Sequence, residues 1–156
     1  MFPIPRMVCS FDIYTCTNNS RRFPVELGTA SIDLSRATRL KGVAFRHMSQ
    51  ETNWVTKTLQ TITAEHQGLQ QITVNVPSFL TFFNVGSNVR QIIGEAITRQ
   101  WLDLDHLLIQ LWESRSIRPR VEFTMGKEKP NLEYCIGCLL PEVTGRGIID
   151  LVSVVY

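Results

Sequence analysis

The stretches Leu40-Lys-Gly-Val43-Ala-Phe45 and Leu69-Gln-Gln-Ile72-Thr-Val74 share one pattern, a leucine followed by two alternating apolar residues, and they decide the fold class. Alternation sends Val43 and Phe45, or Ile72 and Val74, to one face of an extended strand and the residue between them to the other. Between the two stretches, Trp54, Val55, Thr58, Leu59 and Ile62 fall on one helical stripe. Ser49 can cap that helix, and Gly68 is placed to end the segment. Strand, helix and strand fit between Lys41 and Val76. Links that short suit a βαβ unit with parallel strands.

Working outward, the pattern recurs at Val8-Cys-Ser-Phe11-Asp-Ile13 and, without its leading leucine, at Arg118-Pro-Arg-Val121-Glu-Phe123. The steps from Phe11 to Val43, to Ile72 and to Val121 are 32, 29 and 49 residues. The first two approach the roughly 20–29 residues of a leucine-rich repeat, and the last requires an insertion. The longest helical stripe fills it: Val89, Ile92, Ile93, Ala96, Ile97, Trp101, Leu104, Leu108, Leu111 and Trp112. Ser87 or Asn88 can cap this stripe, and Asp103 or Asp105 is expected to break it. Before it, Phe79, Leu80, Phe82 and Phe83 form an apolar loop, either a core plug or a docking patch. After it, Leu132, Cys135, Ile136, Leu139 and Leu140 share one face up to Pro141, and residues 148–156 suit a strand or a helix equally. The expected fold is α/β, a short leucine-rich-repeat-like stack of βα units with parallel strands. It is expected to form a single domain over 1–156, or a fragment of a longer repeat array.

Composition supports a packed domain and excludes several classes. Apolar residues make up 44% of the 156, and charged residues 19%, below the roughly 25% of an average domain. Disordered tails, charged arms and charge-laced coiled coils are excluded. A net charge of +2 is too small to predict nucleic-acid binding without a local patch. No apolar run reaches the roughly 18 residues of a membrane span, and Met-Phe-Pro-Ile-Pro-Arg is not a signal peptide. Cytoplasm or nucleus is the expected compartment, with the four cysteines reduced.

No catalytic motif is present, and neither a cofactor nor a metal is expected. Cys135-Ile-Gly-Cys138 has the spacing of redox and zinc sites, but it lies mid-segment on an apolar face, and Cys9 and Cys16 are not spaced like a finger pair. Buried core thiols are the simpler account. Asp103, Asp105 and His106 would fan across about 300° of a helix and so cannot converge on a metal. Arg36, Arg39, Lys41, Arg46, Arg115, Arg118 and Arg120 fall near strand starts, as a basic ridge or a solvated rim. Gly145-Arg-Gly147 lacks the third glycine of a dinucleotide fingerprint.

Three stretches carry a family likeness: Leu34–Arg46, Trp101–Arg120 and Leu139–Leu151. They resemble the C-terminal, leucine-rich-repeat-like region of fungal F-box family proteins, and the likeness runs from about Arg6 to Val152. In such proteins the repeats hold a substrate while the F-box docks onto a ubiquitin ligase. No F-box-like segment precedes the repeats here, so the resemblance implies recognition without ligase docking.

The expected function is therefore that of a non-catalytic protein-interaction module. Its binding face would carry the outward strand residues Lys41, Arg46, Gln71, Thr73, Asn75, Arg120, Glu122 and Thr124. Membrane and nucleic-acid partners are not expected, and pairing of two copies through apolar end faces is open. The alternatives are a thiol- or metal-dependent enzyme using Cys135 and Cys138, and a weak RNA or phosphate binder using the arginine ridge.

Overall fold

The computed structural model describes residues 8–16, 19–26, 32–46, 51–75, 83, 85–124 and 129–154, with side chains at 32–45, 51–75, 83, 85–122 and 133–152. In chain order the elements are β1 (Val8–Cys16), β2 (Asn19–Glu26), β3 (Gly42–Arg46), α1 (Asn53–Leu59) and β4 (Gln71–Asn75). There follow α2 (Val89–Ile93), α3 (Glu95–Arg115), β5 (Arg118–Thr124), α4 (Lys129–Leu139), α5 (Pro141–Gly145) and β6 (Asp150–Val154). The strands form one sheet in the order β2-β1-β3-β4-β5-β6. From β3 to β6 the strands are parallel and sequential, each joined to the next through helices.

The α/β expectation holds, with two corrections to its repeat bookkeeping. First, β1 is not a unit of the parallel stack. It runs antiparallel to both β2 and β3, with Phe11 opposite Phe45, and makes a hairpin with β2. A two-residue link suffices for an antiparallel pair but not for a parallel one, and residues 17–18 are all that separate these strands. Second, Val121 pairs with Val74, and Pro119 with Ile72, so the repeat at β5 starts two residues earlier than the pattern suggests. A slip of two preserves the face of every side chain, so Val121 still faces the core. In this register Ser116, which ends α3 in the left-handed region at φ 56°, takes the position of the leading leucine, and the next residue, Ile117, 1% exposed, supplies the buried side chain.

Val43, Phe45, Ile72, Val74 and Val121 face the helices and join Trp54, Val55, Leu59, Trp101, Leu104, Leu108, Ile136 and Leu139 in one core. The rings of Phe45 and Trp54 meet edge to face, centroids 5.3 Å apart. Leu40 and Leu69 turn into this core just before their strands, as their pattern implied.

Helix ends depart from the expectations in instructive ways. Residue Thr52, not Ser49, stands at the N-cap of α1, without a side-chain cap bond, and Ser49 lies outside the described residues. Gln60 already ends α1, so Gly68 sits in a later turn. Asn88 does cap α2, its side chain accepting from the Gln91 N–H. The long stripe breaks at Gly94, whose φ of 91° and ψ of 163° lie in a region essentially reserved for glycine, not at Asp103 or Asp105. The change of axis leaves Ile92 64% exposed, off the face that Val89 buries. Pro141 ends the α4 stripe and also opens α5, where a proline costs no hydrogen bond. The ambiguous C-terminal stretch resolves as strand over Asp150–Val154 because it completes the parallel ladder on β5.

Candidate protein-interaction face

Because the helices pack in mutual contact (α1 with α3, and α3 with α2, α4 and α5), they cover one side of the sheet. Alternation puts Ala44, Thr73, Arg120 and Asp150 on the other side, in one cross-strand row: Ala44 beside Thr73, Thr73 beside Arg120, Arg120 beside Asp150. Asn75 and Glu122 form the next pair in the same direction, and Gln71 and Arg118 the previous one. Topology thus gathers onto one face residues spread over more than a hundred positions of sequence.

That face is less open than expected. Thr73 (2% exposed), Glu122 (3%) and Asn75 (7%) are buried, and Asn75 and Glu122 both make further contacts. Ala44 is buried as well. A partner reaches Lys41, which is exposed, and Gln71 and Arg120, which are half-buried. The side chains of Arg46 and Thr124 lie outside the described set. Asp150, half-buried beside Arg120, was missed because nothing in residues 148–156 told strand from helix.

Arg120 is the centre of what remains accessible. Its Nε is enclosed and has no hydrogen-bond acceptor. A guanidinium carries five donors and no acceptor, so this enclosed donor is an unsatisfied group, and a ligand can meet only the part of the side chain that stays open.

The basic ridge comes together only in part. The Gln70 N–H donates to Lys41 O and the Arg118 N–H to Gln70 O, both at 3.0 Å, which sets exposed Lys41 and Arg118 at the same end of the sheet. Arg36 and Arg39 are exposed in the segment leading to β3. Arg115 is committed elsewhere: its guanidinium donates to Thr63 O and His66 O and clamps the turn that precedes β4. The imidazole of that turn, His66, is completely buried. Its Nδ1 accepts from the Thr63 N–H at 3.0 Å, which leaves Nε2–H to donate to Leu34 O at 2.7 Å.

The other candidate groups hold the structure together. Asp103 and His106 are exposed, whereas Asp105 is 2% exposed and accepts from the Glu142 and Val143 N–H groups at 2.9 and 3.0 Å. It caps α5 from a different helix. Burial raises its carboxyl above the ordinary range, with the two N–H groups pulling the other way. Cys135 and Cys138 are not in a disulfide, lie on the second half of α4 and not at a helix N-terminus, and Cys135 is 1% exposed. The Tyr134 hydroxyl donates to Ser87 O at 2.8 Å, and desolvation, then the neighbouring Cys138, raises its pKa. Among the described residues no group of three or more His, Cys, Asp or Glu is arranged to hold a metal. Of the phenylalanine loop only Phe83 is described, and it packs partly buried against the core. No described helix is long and apolar enough to cross a membrane.

Comparison with known proteins gives no match: no family model fits the chain, and no curated protein or solved structure is significantly similar to it.

Proposed function

We propose that this chain is a non-catalytic protein-interaction module of the cytoplasm or nucleus, comparable in role to the substrate-holding part of F-box adaptors. In this reading it grips an acidic segment of its partner through the sheet face around Arg120. The observation that carries the reading is the half-buried Arg120, standing beside Thr73 and Asp150 on the side of the sheet opposite the helices. A partner carboxylate would pair with the part of the Arg120 side chain that remains accessible, with Lys41 and Arg118 adding charge along the same end of the sheet. Asp150 alongside would select against partners with a second carboxylate at that point.

The test is an array of Asp- and Glu-containing peptides probed with the purified chain, followed by titration of the best binder. Arg120→Gln should weaken that binding at least about tenfold with an unchanged melting temperature, since removing one partner of a charged pair costs about 2–5 kcal/mol. Arg36→Gln, in the segment before β3, should leave it unchanged. Equal binding by wild type and Arg120→Gln would overturn the assignment.

A further inference from the structure

The two edges of the sheet are treated very differently by the sequence. On the β2 edge, Asn19–Glu26 carries Arg21, Arg22, Pro24 and Glu26. Charges and a proline without an N–H are the devices by which edge strands discourage further pairing. On the β6 edge, Asp-Leu-Val-Ser-Val has no Lys, Arg, Pro or Gly. Its single charge, Asp150, lies beside Arg120 of β5. Ile148, Ile149 and Leu151 pack partly buried against the core and Val152 is half-buried, whereas the interior strand residues Val43, Phe45, Ile72, Val74 and Val121 are 0–2% exposed. Among the described elements, β6 has β5 as its only neighbour in the sheet.

We infer that β6 pairs with β6 of a second copy of this chain, antiparallel across a two-fold axis at Val152, extending the sheet through both protomers. Three considerations select this occupant and register. Head-to-tail pairing of β6 with β2 of another copy meets Arg21, Arg22 and Pro24, and would propagate an open filament in place of a closed pair. Symmetric pairing centred on Val152 uses all five residues: Asp150 opposite Val154, Leu151 opposite Ser153, and Val152 opposite itself. A register centred on Asp150 would instead set two carboxylates face to face, which is destabilising. The inference is independent of the proposed function, because Arg120 lies on a face and β6 on an edge.

The experiment is sedimentation of the full chain, with Val152→Lys and Val152→Cys variants. Wild type should sediment at twice 17.8 kDa. Val152→Lys places two ammonium groups opposite each other and should raise the dissociation constant at least about tenfold while circular dichroism keeps the wild-type signal. Should that variant misfold, Val152→Cys carries the test. Paired residues lie about 4.5–5.5 Å apart between Cα atoms, within disulfide reach, so mild oxidation should cross-link this variant much faster than wild type with its native cysteines. A monomeric wild type, a Val152→Lys dimer of undiminished affinity, or cross-linking at the wild-type rate would each overturn the inference.

Discussion

Removing the Asp105 carboxylate tests the contact that ties α5 to α3. The acceptor serves two N–H groups with unequal alternatives. Val143 is completely buried, so its N–H cannot turn to water, and leaving such a donor unpaired costs about 1–3 kcal/mol. Glu142 is exposed, so its N–H can be hydrated, and its share is that of an ordinary lost cap, about 0.5–2 kcal/mol. The two overlap, and Asp105→Ala should cost about 2–3 kcal/mol in all. For a chain of this size that is a fall in melting temperature of about 4–12 °C, with a lower urea midpoint at unchanged slope. Asp105→Asn keeps one acceptor and the volume and should fall between Ala and wild type. The pH dependence adds a second readout. A carboxyl whose pKa is higher folded than unfolded binds more protons in the native state. The stability it contributes is fully present below the ordinary value of 3.8 and is lost as pH rises through the folded pKa. The margin of wild type over Asp105→Asn should therefore widen between pH 7 and pH 4. An Ala variant within about 0.5 kcal/mol of wild type would refute the capping argument, and a margin that narrows on acidification would refute the raised pKa.

Gly94→Ala should destabilise by about 1–3 kcal/mol through backbone strain alone, since its added Cβ meets nothing within 4 Å; calorimetry checks this. Gly137→Ala, inside α4 with its Cβ 3.8 Å from Thr144 Cγ2, should stabilise by up to about 1 kcal/mol in the same scan. His66→Phe leaves Leu34 O without its donor and should cost about 1–3 kcal/mol in urea unfolding. Arg115→Ala frees the same turn and should raise amide exchange at Leu69 and Gln70, whereas Arg99→Ala, in an exposed pair with Glu95, should not.

Alternation and helical stripes made the inner layer legible: Leu40, Val43, Phe45, Leu69, Ile72 and Val74 are core residues, as their spacing implied. Those signals are local, and each depends only on which side of one element a side chain leaves. The direction of β1, the two-residue slip at β5 and the cap that Asp105 supplies to α5 are relations between elements, which no local period encodes. Gly94 was legible in principle, because glycine is the residue a positive φ requires. The two aspartates looked equally able to end a helix, and only the N–H groups of Glu142 and Val143 explain why Asp105 points away from its own backbone.

The sequence by itself determined a parallel α/β core, because strand and helix periods are written into the apolar residues. Tertiary structure alone decided which polar residues meet. Arg120, Thr73 and Asp150 lie in one row only because three strands pair in a given register. Tertiary structure also decided which of them water or a partner can reach, since Thr73 is buried and Arg120 in the same row is left half open. Exposure is a property of the packed sheet and not of any one strand.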